Sequence, residues 1–279
     1  MLGYISGVYD ILRQKELNKI DMAIQKNIES GNEYFALAVY SDELCEEMGL
    51  GLPLKNAEDR MEILNYISGV NFTFKISDLD KENIDRIAKE ALEKYLLERE
   101  KKENTEKKEF DIAYAPGTYD LFHAGHLENL LQASRRSEKL IVGVKADELV
   151  MSHKGRLPTL NAQERMEILR HFRFVDNVYQ YYTRDPHSAI SWIKSKYGKD
   201  VDAMFLGSDL KNDFKNVTDI NIIFTDRDPN GMATKSTSAY RKKLLNISGF
   251  STLEGKYVQT SCIDDDRNGI SEIKGDEER

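Results

Sequence analysis

An α/β fold, with a mainly parallel sheet laid out twice along the chain, is what this sequence predicts, on three observations. Short apolar runs alternate with helix-spaced segments, the pattern of βαβ units. A glycine turn followed by Tyr-Asp closes the first run of each half: Gly7-Val8-Tyr9-Asp10-Ile11-Leu12 and Gly117-Thr118-Tyr119-Asp120-Leu121-Phe122. Farther on, residues 56–64 and 161–169 share seven of nine positions, and between the blocks Asp42-Glu43-Leu44 matches Asp147-Glu148-Leu149. Three matching blocks in one order predict an internal duplication.

Each copy reads as strand, glycine turn, helix, strand, then helix. The first copy stops early. Its run at Phe72–Ile76 is followed by Asp80–Glu100, where Ile84, Ile87, Ala91, Leu92, Tyr95 and Leu96 keep the spacing of an amphipathic helix. The Lys- and Glu-rich stretch 98–109 reads as a solvated helical extension or linker. In the second copy, strands are expected near Phe110–Ala115, Leu140–Val144, Val178–Tyr182 and Ala203–Leu206, short and apolar as strands covered on both faces should be. Helices are expected at His126–Ser134, Ala162–His171 and His187–Tyr197, with Asn161 placed to cap the second. The end of the chain is polar, acidic and patternless, and reads as a poorly ordered tail. The predicted organisation is thus a truncated copy at 1–78, a charged helix or linker at 79–109, a complete copy at 110–246 and a tail at 247–279.

At 279 residues the chain can bury the cores of two domains. A net charge of −8 speaks against nucleic acid as a bulk electrostatic partner. Two cysteines, Cys45 and Cys262, provide neither a disulfide framework nor a zinc pattern, which fits a reducing interior. No basic leader and no 18-residue apolar run is present, so the expectation is a cytoplasmic protein without a membrane span.

The chemistry is expected at His123-Ala124-Gly125-His126. Spacing i,i+3 puts two imidazoles on one side of the start of a helix. That end offers unpaired N–H groups and positive potential to an anion, and Gly125 leaves room for close approach. Such a site suits phosphoryl-type transfer, where positioning and charge stabilisation dominate. The spacing alone also fits metal ligands or surface residues. The full string from Gly117 to His126 resembles the signature of the cytidylyltransferase-like nucleotidyltransferases, over most of 111–243. It is nearest to the enzymes making CDP-glycerol, CDP-ethanolamine and CDP-choline.

That resemblance implies a Rossmann-like domain, magnesium, CTP and a small phosphate-ester acceptor. It assigns His123 and His126 to the α-phosphate, and Gly117, Thr118, Tyr119, Asp120 and Gly125 to the nucleotide pocket. Lys154, in Ser152-His153-Lys154-Gly155, looks like the family's phosphate-gripping lysine. Arg165 sits where the family has an arginine reaching phosphates, although its counterpart Arg60 allows a structural role. Gly207 and Asp209 match a Gly-x-Asp segment lying against base and ribose. Ser236, Thr237 and Ser238, before a helix, are similar to the Ser-Thr-Ser/Thr signature holding the β- and γ-phosphates. The Arg-Thr-x-Gly that precedes this signature in the family is missing, and Arg227 stands several residues upstream.

In the first copy Arg13 and Glu16 replace both histidines, and Lys15 replaces the glycine. A carboxylate where an anion should bind predicts a catalytically dead copy. The family's dimer segment resembles Arg173-Phe174-Val175-Asp176, with Ser68-Gly69-Val70-Asn71 as its counterpart. The expectation is an internal pseudo-dimer, with homodimerisation of whole chains left open. Adenylyl transfer from ATP, and a nucleotide-binding regulator without turnover, are the competing readings.

Overall fold

A computed structural model describes residues 1–100, 107–211, 220–225, 237–247 and 271–273. The chain divides into two compact units, residues 1–105 with 258–279, and residues 106–257.

In the first unit β1 (Leu2–Gly7), β2 (Tyr34–Tyr40) and β3 (Phe72–Ile76) form a parallel sheet. Around it run α1 (Gln14–Glu29), α2 (Asp42–Glu47), α3 (Ala57–Leu64) and α4 (Lys81–Glu100). Leu2, Ala36, Phe72, Phe74 and Ile76 pack with Ile84 and Ala88 of α4 in one core, each large side chain contributing about 1.5–3 kcal/mol on burial. The α4 face is keyed further by the Tyr4 hydroxyl donating to Asp85 Oδ1 at 2.6 Å and by Phe72 stacked on Tyr95. The predicted 80–100 helix is therefore present as read.

The second unit repeats this order and extends it. Here β4 (Phe110–Gly117), α5 (Ala124–Arg136), β5 (Ser137–Lys145), α6 (Asp147–Lys154), α7 (Ala162–Arg170) and β6 (Asn177–Tyr181) correspond in sequence to the first six elements. Then come α8 (Pro186–Tyr197), β7 (Ala203–Gly207), a 3-10 turn at Ser208–Leu210, β8 (Ile222–Thr225) and α9 (Thr237–Ile247). The sheet order is β6-β5-β4-β7-β8, all parallel. The strand order reverses at β4, which has β5 on one side and β7 on the other, and in open α/β sheets ligands bind at such a point, beyond the carboxyl ends of the strands. This is the Rossmann-like arrangement expected from the sequence.

Several elements escaped the sequence reading, among them α2, α6, β8 and β9 (Ser271–Ile273). The run Asp147–Lys154 carries only Val150 as a buried residue, too little for a periodic signal, and its helix is stopped by left-handed Gly155 (φ 65°). At the chain's end, the expectation of a patternless tail is corrected at β9, which pairs antiparallel with β1. There β9 takes the side of β1 that corresponds to the β7 side of β4. Among the described residues unit 1 has no counterpart of β7, and β9 pairs with a side of β1 that would otherwise present an open row of backbone groups.

The segments expected at an interface, 68–71 and 173–176, each end in a side chain pinned to its own sheet. Asn71 Oδ1 accepts from the Phe35 N–H at 2.7 Å, and Asp176 Oδ2 from the Leu140 N–H at 2.8 Å. Among the described residues no helix is long and apolar enough to cross a membrane.

Candidate active site at the start of α5

The turn joining β4 to α5 is built from an unusual backbone. Tyr119 (φ 54°) and Leu121 (φ 48°) both lie in the left-handed region, costly for side-chain-bearing residues and found where surroundings enforce it. The fold of Tyr119 brings its ring over Gly117, where an added Cβ would lie 2.7 Å from ring atoms, and its hydroxyl donates to the Ala115 carbonyl at 3.0 Å. Tyr9 repeats the conformation in the first unit (φ 53°), so this part of the turn belongs to the scaffold.

His123 is the N-cap of α5. Its Nδ1 accepts from the Gly125 N–H at 3.2 Å, which leaves the proton of the neutral ring on Nε2. Nε2 lies 3.4 Å from Thr237 Oγ1, and that hydroxyl donates to the Asp120 carbonyl at 3.1 Å. The hydroxyl proton being spent there, its oxygen is an acceptor for the Nε2–H. The His126 ring stacks on His123 with centroids 3.8 Å apart, and packs edge-on against Tyr119 at 5.3 Å. Both histidines are buried, at 3% and 8% exposure. Tyr240 of α9 approaches His123 at 5.8 Å.

Asp120, 3% exposed, is engaged differently from the pocket role expected of it. Its carboxylate accepts from the N–H groups of Thr159 and Leu160 at 2.9–3.0 Å, fixing the loop before α7. Arg241 of α9 adds an N–H at 3.2 Å to Asp120 and donates to the Leu157 carbonyl at 3.1 Å. Burial, and next the guanidinium of Arg156, pull the Arg241 pKa below the ordinary arginine range, while Asp120 opposes them.

Arg165 requires correction. It is fully buried, and four of its five N–H groups are committed to the carbonyls of Leu160, Thr118 and Lys145 and to Asp147 Oδ1. Arg60 makes the matching bonds to Lys55, Val8, Tyr40 and Asp42 in the first unit. In place of the phosphate contact expected, the arginine ties β4, β5 and the 157–160 loop together.

The remaining expected residues fall in three groups. Gly125 is buried in the first turn of α5, and Thr118 is half-buried at the mouth of β4. Gly207 ends β7, so it and the turn containing Asp209 leave the same sheet edge as Gly117. Lys154 is exposed in the last turn of α6, and Ser238 is exposed in the first turn of α9. Ser236 and Arg227 lie outside the described residues. Sequence reading passed over Tyr240 and Arg241. With Thr237 they occupy positions i, i+3 and i+4 of one helix, a spacing that could have singled them out.

For magnesium the arrangement offers no ready protein cage. Among the described residues no three His, Cys, Asp or Glu side chains converge, and Asp120 is already saturated.

The profile of the family described as cytidylyltransferase-like matches residues 114–255. Residues of this chain are 44% identical to FAD synthase of Pyrococcus horikoshii over 62 residues, 22% of this chain and 42% of that protein. They are 45% identical to choline-phosphate cytidylyltransferase A of Rattus norvegicus over 67 residues, 23% of this chain and 18% of that protein. The match thus spans less than half the length of either relative. A lipopolysaccharide core biosynthesis protein from Thermoplasma volcanium aligns with 41% of this chain and 93% of its own, at 19% identity and a TM-score of 0.33.

Proposed function

The chain belongs to the cytidylyltransferase-like family, and we propose that its second unit transfers CMP from CTP to a small phosphorylated alcohol such as glycerol-, polyol-, ethanolamine- or choline-phosphate. The observation that carries this reading is the stacked His123–His126 pair at the N-terminus of α5, where His123 caps the helix through Nδ1 and turns its Nε2–H toward Thr237 at the start of α9. In the proposed reaction an oxygen of the acceptor phosphate forms a bond to the α-phosphorus. The bond from that phosphorus to the oxygen bridging to the β-phosphate breaks, and pyrophosphate departs with the electron pair. The imidazole N–H groups and the start of α5 stabilise the negative charge that builds on the α-phosphoryl oxygens. Thr237 through its backbone N–H, and Ser238 and Ser236 through their hydroxyls, hold the β- and γ-phosphates with the N-terminus of α9. Lys154 supplies a further cation to the phosphates. Magnesium would arrive on the triphosphate, keeping water and phosphate oxygens as its main ligands. The first unit, with Arg13 and Glu16 in place of the histidines, is a scaffold without turnover.

Adenylyl transfer from ATP is the second reading. It is favoured by the FAD synthase relatives, whose identity to this chain matches that of the choline-phosphate enzymes. Incubating the protein with magnesium, each nucleoside triphosphate and a panel of phosphate esters, and measuring pyrophosphate, tests both. Release with CTP supports the first reading, release with ATP alone replaces it by the second, and no release from any pair leaves a nucleotide-binding regulator.

A further inference from the structure

The two units solve the same electrostatic problem in different ways. In each, the aspartate of the Tyr-Asp turn grips the loop ahead of the next helix. Asp10 accepts from the N–H groups of Leu54 and Lys55 at 2.6 and 3.0 Å, and Asp120 from those of Thr159 and Leu160. A carboxylate taken out of water also needs a nearby cation. In the first unit the loop supplies it: Lys55, itself buried, places Nζ 3.8 Å from Asp10 Oδ1 and donates to the Asp10 carbonyl. In the second unit the aligned residue is Leu160, and the cation is Arg241 of α9. The same helix meets the Asp120 carbonyl and His123 Nε2 through Thr237.

We propose that Arg241 is a positioning residue, which makes the geometry of the histidine turn depend on the docking of α9. A unit that needs only a rigid turn carries its cation in the loop. The unit with the histidine pair has given that cation to the helix that begins with the Thr237-Ser238 hydroxyls. The turn around His123 is therefore fully neutralised only when those hydroxyls stand in place. This rests on the nucleotidyl-transfer reading for its kinetic consequence, but not for its structural one.

The first measurement needs no substrate. Amide hydrogen exchange is compared in wild type, Arg241→Gln, and Arg241→Gln combined with Leu160→Lys, which transplants the first unit's solution. Exchange in Arg241→Gln should quicken by about tenfold or more at both 118–123 and 237–247. The added lysine should restore protection at 118–123 only. Unchanged exchange in Arg241→Gln, or restoration of both segments by the lysine, overturns the proposal even if the protein turns nothing over. The second measurement is kinetic. Arg241→Gln should raise the KM for the triphosphate and lower kcat/KM by about 10–100-fold, because small misplacements of positioned groups cost that much. The double variant should regain thermal stability but keep the raised KM. A variant that merely unfolds in part would lose kcat at constant KM, and that outcome, or full kinetic rescue by the lysine, refutes the role. Absence of wild-type turnover with every nucleotide and ester refutes the nucleotidyl-transfer reading instead, and leaves the exchange result standing.

Discussion

Replacing His123 separates two functions that one ring performs. Its Nδ1 caps α5 by accepting from Gly125, while Nε2–H faces Thr237 and the site. Alanine removes both. Asparagine is among the best N-cap residues, so it keeps the cap and removes only the imidazole donor. The cap is worth about 1 kcal/mol, which for a unit of this size is about 2–4 °C in Tm. His123→Ala should therefore melt that much below His123→Asn, and somewhat lower still because the ring stacked on His126 leaves space in a buried site. Turnover should fall alike in both variants, by about 10²–10³-fold, the effect of deleting one donor aimed at developing charge. Thermal melts followed by pyrophosphate release with the wild-type substrate pair supply both numbers. Turnover of His123→Asn within about tenfold of wild type would refute the donor role. Equal melting of the two variants would refute the cap.

Other expectations follow from comparing the two units. Arg165→Leu and Arg60→Leu should each destabilise their own unit by about 3–5 kcal/mol in urea unfolding, since each strands buried carbonyls and an aspartate. A well-folded Arg165→Leu protein with selective loss of turnover would return that arginine to the phosphates. Arg13→Ala should leave turnover within about twofold of wild type, because its unit lacks the histidine pair, and pyrophosphate release measures it directly. Gly117→Ala should lower both Tm and turnover: its Cβ would meet the Tyr119 ring, which is held by a hydrogen bond to Ala115 and cannot easily yield. Melting curves and pyrophosphate release on the one variant check both effects.

Much of the candidate site was legible because its signals are local. The glycine turn, the helix-start histidines and the Asn161 cap each depend on residues within a few positions, and the hydrogen bonds of Asn161 with Glu164 bear out the cap. Four of the five strands of the second unit were equally readable, since burial on both faces demands unbroken apolar runs, whereas β8, mostly half-buried, was not read. What the sequence by itself determined is therefore the α/β order, the repeated blocks and the place of the histidine pair. Only the tertiary structure decided what the polar residues of those blocks do. Arg165 and Asp120 read as phosphate and pocket residues because the motifs that hold them resemble those of the family. In three dimensions both turn inward, where desolvated charge must be met by the carbonyls, N–H groups and ions of distant segments. Arg241 lies 121 positions from Asp120 along the chain, and β9 pairs with a strand at the opposite end. No periodicity encodes such pairings, because they are settled by which buried groups remain to be satisfied once the sheets have formed.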